Sequence, residues 1–253
     1  MKPVLEVIGL TKVFTNRRQS FKAVDGVNFR LYPGQCLGIV GESGSGKSTA
    51  ARMIAQLETT TEGRILYRNQ DITNTPGRKR KSIYRNMQMI FQNPLDSFDP
   101  RRKLGSSVVE VLCNYGFSKI EARAQMKKLM ERVGLNDEIA DRYPHQVSGG
   151  QCQRAAIARA IALKPEILIC DEATSALDVS VQQQIIKLLK ELQSEYHLSI
   201  LFICHDLALV QEMCQRVIVM YEGKIVEEGA VDEVIENPKE VYTRRLLDSV
   251  LSI

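Results

Sequence analysis

The chain has 253 residues, 44% apolar and 25% charged, with a formal net charge of +4; this is ordinary globular usage, with enough chain for a sizeable core and no sign of disorder. The charges are interspersed rather than blocked, which makes the net charge a weak argument for a nucleic-acid partner but suits a chain that handles polyphosphate near an anionic membrane surface. The longest apolar stretches, ILIC at 167–170 and LSILFIC at 198–204, are too short to cross a bilayer, and no secretory signal opens the sequence.

Along the first thirty residues LEVIGLTKVF and FKAVDGVNFRL alternate apolar and polar positions, predicting short half-buried strands. LYPGQCLGIVGESGSGKSTAARMIAQL then reads as a turn, a buried strand, a glycine loop and a helix, and 60–73 as a further hairpin. From about 95 to 163 the pattern is mostly helical, with EARAQMKKLMERVGL clearly amphipathic. PEILICDE and LSILFICHD are apolar strands separated by a helical segment, the signature of parallel β-α-β units. VIVMYEGKIVEEG predicts a hairpin turning at Glu222 and Gly223, with helices to finish. The basic run RKRK at 78–81 reads as a solvated loop. The six cysteines show neither a CxxC pair nor ligand-like spacing with histidine, and read as reduced cytoplasmic thiols.

GESGSGKST comprises Gly41, Glu42, Ser43, Gly44, Ser45, Gly46, Lys47, Ser48 and Thr49, and fits the phosphate-loop pattern G-x-x-x-x-G-K-[ST]. Glycines let backbone N–H groups wrap a phosphate, and the following helix adds its positive end. Lys47 would reach the β- and γ-phosphates, and the Ser48 hydroxyl would ligate Mg²⁺. ILICDE places Asp171 and Glu172 at a strand's carboxyl end, where open α/β sheets bind ligands. Asp171 would hold Mg²⁺ through water, and Glu172 would orient or deprotonate the attacking water. His205 would close the next apolar strand and reach the same edge.

VSGGQ at 147–151 resembles the LSGGQ signature of ATP-binding cassette (ABC) ATPases, and the likeness extends in order through the phosphate loop, Gln92, Asp171 with Glu172, SALD at 175–178 and His205. Val147 in place of leucine is a conservative departure. The resemblance implies an α/β P-loop NTPase (RecA-like) core with an N-terminal antiparallel β subdomain and a helical signature subdomain. The expected organisation is a single ABC ATPase domain over 1–253: a core at about 1–92 and 164–230, a helical subdomain at about 93–163 and a C-terminal tail at about 231–253. Ser148, Gly149, Gly150 and Gln151 form a second anion-binding helix start. In the family it completes the neighbour's site across a head-to-tail dimer that sandwiches two ATP molecules.

By the same resemblance Glu172 is the catalytic carboxylate, His205 the γ-phosphate switch, Gln92 a ligand of Mg²⁺ or of the attacking water, and Asp178 a reporter between the two sites. Phe14 is the candidate for adenine stacking, with Phe21 in reserve and a core role the alternative for either. FQNPLDSFDPR at 91–101, AVDGVNF, DEATSALDVSVQ and YTRRLL resemble the dipeptide, oligopeptide and nickel import branch. That implies a peripheral motor on the cytoplasmic face of the cell (inner) membrane. Its partners would be a second, related ATPase (a heterodimer, or else a homodimer), two permease subunits and, indirectly, an extracytoplasmic binding protein. Many peptide-importing members of the branch carry a cysteine-rich C-terminal segment, whereas this sequence shows no cysteine beyond Cys214; the expectation from that leans toward nickel or a metallophore as cargo, or toward the shorter partner of a peptide system. The alternative, a soluble ATPase acting on ribosomes or DNA, usually shows two fused cassettes or long coiled coils. Leu95, Ser97, Phe98 and Asp99, stiffened by Pro94 and Pro100, are candidates for contact with the permease, the alternative being a buried loop wedge.

Overall fold

The computed structural model describes residues 1–16, 19–174 and 177–251. It opens with β1 (Leu5–Asn16) and β2 (Gln19–Leu31), paired antiparallel. These strands are 12 and 13 residues long rather than short. Irregularities in their pairing carry the ladder past Gly9 and Gly26, which adopt φ of 59° and 65°. The Gly9 N–H donates to Asn28 Oδ1 and the Gly26 N–H to Thr11 Oγ1, so side chains complete what the ladder leaves open.

β3 (Cys36–Val40) leads into α1 (Lys47–Ile54), and β4 (Glu62–Tyr67) turns into β5 (Gln70–Asp71). α2 (Arg80–Asn86) runs directly into β6 (Met87–Ile90). The RKRK run is therefore not a loop: it forms a 3₁₀ turn at Gly77–Lys79 and the start of α2, anchored by buried Ile83. The helical stretch holds α3 (Leu104–Asn114), α4 (Lys119–Arg132), α5 (Asp137–Ala140) and α6 (Gly149–Ile161). β7 (Ile167–Asp171), α7 (Val179–Tyr196), β8 (Ser199–Ile203), α8 (Leu207–Met213), β9 (Arg216–Tyr221), β10 (Lys224–Ala230), α9 (Val231–Glu236) and α10 (Val241–Leu251) follow.

One sheet is antiparallel, in the order β2-β1-β4-β5; the other runs β10-β9-β3-β8-β7-β6, parallel except at β10. β3, β7 and β8 are buried at every position, which is why they read as continuous apolar runs. Their side chains still alternate between faces: Leu37, Ile39, Ile167, Ile169, Leu201 and Ile203 pack towards α1 and the antiparallel sheet. Val40, Leu168, Cys170, Ile200 and Phe202 pack into a core shared with Leu104, Leu112, Leu129 and Ile157 of the helical stretch. Glu166 pins the two sheets together, accepting from Tyr67 Oη at 2.5 Å and Arg68 Nη2 at 2.6 Å. β8 ends at Ile203, so His205 lies in the loop beyond the strand it was expected to close.

Candidate nucleotide site

The carboxyl ends of the parallel strands form one edge, and the loop from β3 to α1 crosses it. At its start Gly41 has a φ of 148°, and a Cβ there would lie 2.2 Å from the Met220 carbonyl oxygen. At its end Gly46 has a φ of 101°, and a Cβ would meet the Ala23 carbonyl oxygen at 2.3 Å. Only glycine combines that dihedral with that clearance. Lys47 is buried and folds over the loop, donating from Nζ to the carbonyls of Gly41 at 2.7 Å and Glu42 at 2.8 Å. Burial lowers its ammonium from the ordinary lysine range, against the pull of the Glu172 and Asp171 carboxylates.

Ser48, in the first turn of α1, donates from Oγ to Asp171 Oδ1 at 2.7 Å. Burial pushes the Asp171 carboxyl above the usual carboxylate range, opposed by the Ser48 hydroxyl and the charge of Arg52. Glu172 follows with a φ of 47°, unusual for a side chain of its kind, and its N–H donates to the Ile203 carbonyl at 3.0 Å. Its Oε2 accepts from Gln92 Nε2 at 2.7 Å.

Phe14 and Phe21 face each other in the β1–β2 register and are 44% and 62% exposed, which removes the core alternative for both. Lys12 Nζ stands 4.9 Å from the Phe14 ring centroid. Both rings, with Ala23, Ser43, Gly44, Gly46, Lys47, Ser48, Thr49, Gln92 and Glu172, line a cleft of about 270 Å³. An aromatic wall thus adjoins a loop of backbone donors. Ala23 escaped the sequence reading because its contribution is a backbone oxygen, which no side-chain pattern announces.

Not every expected residue joins this cleft. His205 is exposed and outside its lining. Ser148 and Gly149 are exposed at the start of α6, where Ser148 Oγ accepts from Gln151 N at 3.2 Å and Gln151 Oε1 accepts from Ser148 N at 3.1 Å. Gly150 has no room for a Cβ, which would fall 2.7 Å from Val181 Cγ1. That contact sets the signature beside the start of α7, where Asp178 Oδ1 accepts from Val181 N at 3.0 Å and Ser180 Oγ at 2.8 Å. These bonds hold the exposed Asp178 carboxyl below its ordinary range. Ser175 and Ala176 of SALD lie outside the described residues. Phe98 is no surface contact: it is 6% exposed, in the core, under the Arg159 guanidinium at 4.6 Å. Leu95 stays 47% exposed.

The ABC transporter family model matches residues 24–175. The oligopeptide transport ATP-binding protein OppF of Salmonella typhimurium is 47% identical over 234 residues, covering 92% of this chain and 70% of the relative. AppF of Bacillus subtilis, also an oligopeptide transport ATP-binding protein, is 47% identical over 256 residues, covering 98% and 78%. The glutathione import ATP-binding protein GsiA of Salmonella paratyphi A is 46% identical, covering 98% of this chain and 41% of its own length. Among solved structures, the dimeric ATP-binding cassette MJ0796 bound to ADP and Pi superposes with a TM-score of 0.81 at 29% identity, over 90% of this chain and 98% of that one. CbiO1 of Clostridium perfringens, part of the transporter complex CbiONQ, gives 0.81 at 28% identity over the whole of both chains. The fold is that of a P-loop NTPase. The chain belongs to the ABC transporter family, as an ATP-binding cassette whose ATPase activity is coupled to transport.

Proposed function

We propose that this ABC ATPase drives a membrane importer of small peptides by hydrolysing ATP in the cleft between the Phe14–Phe21 wall and the phosphate loop. The observation that carries the reading is the convergence of Lys47, the Ser48–Asp171 bond and the Gln92–Glu172 bond on one sheet edge. The loop N–H groups and Lys47 bind the phosphates, and Phe14 stacks on the base. Glu172, aimed by Gln92, takes a proton from the attacking water. The donor set suits Mg²⁺: a hydroxyl, a carboxylate and an amide oxygen are hard ligands of the sort that ion accepts alongside substrate phosphates, so Ser48, Asp171 and Gln92 would hold it. When bound, it neutralises charge on the phosphate oxygens.

The signature residues Ser148–Gln151 stand apart from the phosphate loop of their own chain, which supports a role in a second cassette's site, with Asp178 beside them. His205, just past β8 on the chain's own sheet edge, acts as the γ-phosphate switch. In this reading the assembly is two related cassettes, a heterodimer, under two permease subunits fed by a binding protein. Among the described residues no helix is long and apolar enough to cross a membrane, which suits a peripheral subunit on the cytoplasmic face. The named relatives handle oligopeptides and glutathione, so peptide is preferred over nickel as cargo. Uptake of a labelled dipeptide, a labelled oligopeptide and nickel, in cells with and without the gene, tests it. Loss of peptide uptake is expected; loss of nickel uptake alone would overturn the cargo.

A further inference from the structure

The phosphate loop is also gripped from outside the cleft, by the last helix. Glu42, the second residue of the loop, donates its backbone N–H to Tyr242 Oη at 2.9 Å, across 200 positions of sequence. The carbonyl of the same residue accepts from Lys47 Nζ at 2.8 Å, so Glu42 joins Tyr242 to the phosphate-binding lysine. The Tyr242 ring lies 4.3 Å from that of Tyr221, centroid to centroid. Just after Tyr221, the Gly223 N–H donates to the Ser45 carbonyl at 3.1 Å, a second outer anchor on the loop.

Tyr242 is in turn fixed by the way α10 begins. Glu227 on β10 is 8% exposed and accepts from the N–H groups of Lys239 at 2.8 Å and Glu240 at 3.2 Å, just ahead of the helix. One turn on, Leu246 is buried in the core.

We propose that Tyr242 is a positioning residue for the phosphate loop, so that the docking of α10 sets the affinity of the cleft for ATP. The proposal rests on reading the cleft as the ATP site. A loop already held in its binding shape loses less conformational freedom when the phosphates arrive. Phenylalanine at 242 keeps the tilted ring contact with Tyr221 and removes the hydroxyl that accepts from Glu42.

The test is ATP affinity of the full chain by titration calorimetry, with the melting temperature, steady-state kinetics of the assembled transporter and hydrogen exchange at the Glu42 amide. Tyr242→Phe should weaken ATP binding about threefold to tenfold, the worth of one hydrogen bond. It should raise KM for ATP with kcat unchanged and speed exchange at Glu42, with the melting temperature lowered by no more than a few degrees. Val241→Ala, at an exposed neighbour on the same helix, should change none of these. Lys47→Ala separates the two claims: if it leaves ATP affinity intact, the ATP site is misassigned. If Lys47→Ala weakens binding and Tyr242→Phe leaves it at the parental value, the positioning role is wrong.

Discussion

Gln92 Nε2 donates to Glu172 Oε2 at 2.7 Å because the parallel register makes them neighbours. Ile90 of β6 lies beside Cys170 of β7, and each of the two side chains comes two residues later. The strands therefore deliver an amide and a carboxylate to one point. Glu172→Gln should leave ATP affinity within about twofold and cut phosphate release by about 10² to 10⁴, the range for loss of a general base. Calorimetry and a phosphate-release assay read the two effects separately.

Gly44 and Gly46 both have positive φ, 83° and 101°, yet a Cβ at Gly44 meets nothing within 4 Å. Gly44→Ala should thus cost only the backbone strain, about 1 kcal/mol. Gly46→Ala adds a collision with the Ala23 backbone, so it should lower stability by about 2–4 kcal/mol and abolish ATP binding. Paired denaturation curves and ATP titrations check the ranking.

Asp171 carries a stability consequence with a definite sign. Its folded-state pKa is raised by burial, so the ionised carboxylate destabilises the fold at pH above that value, and the loss shrinks as pH falls through it. Asp171→Asn keeps an oxygen for the Ser48 hydroxyl without the buried charge. Near neutral pH the variant should melt a few degrees higher than the parent, with the gap closing on acidification toward the ordinary carboxylate range. It should have lost Mg²⁺-dependent hydrolysis, a trade of function against stability.

Of the six cysteines, five are buried and Cys113 alone is partly exposed. Burial pushes the Cys152 thiol up to about 11 and the Cys204 thiol to about 12, and raises Cys36 and Cys170 as well. Only thiolates react quickly. The native chain should show one fast thiol to an aromatic disulfide reagent, missing in Cys113→Ser, and all six in denaturant.

Much of the fold was legible because its central strands are buried on both faces: CLGIV and ILICD are apolar at nearly every position, and the phosphate loop sits between a strand and a helix. The signature was legible for a local reason too, since a serine and a glutamine three apart cap a helix. Long-range closure was not. The length of β1 and β2 depends on Asn28 and Thr11 reaching across to glycines far along the chain. β6 is four residues long and merges with α2, too short for a period to show. Phe98 is buried because Arg159 and the helical core cover it, and Tyr242 meets Glu42 only through the docking of α10.

Hydrolysis in this cleft is proposed to drive import. Its most direct test is ATP-dependent uptake of a labelled oligopeptide into vesicles carrying the chain with its partner cassette, permeases and binding protein, with wild-type chain or Glu172→Gln. Uptake is expected with the wild type and should be almost completely lost in the variant, which still binds ATP. Uptake by the variant at the wild-type rate would contradict the proposal.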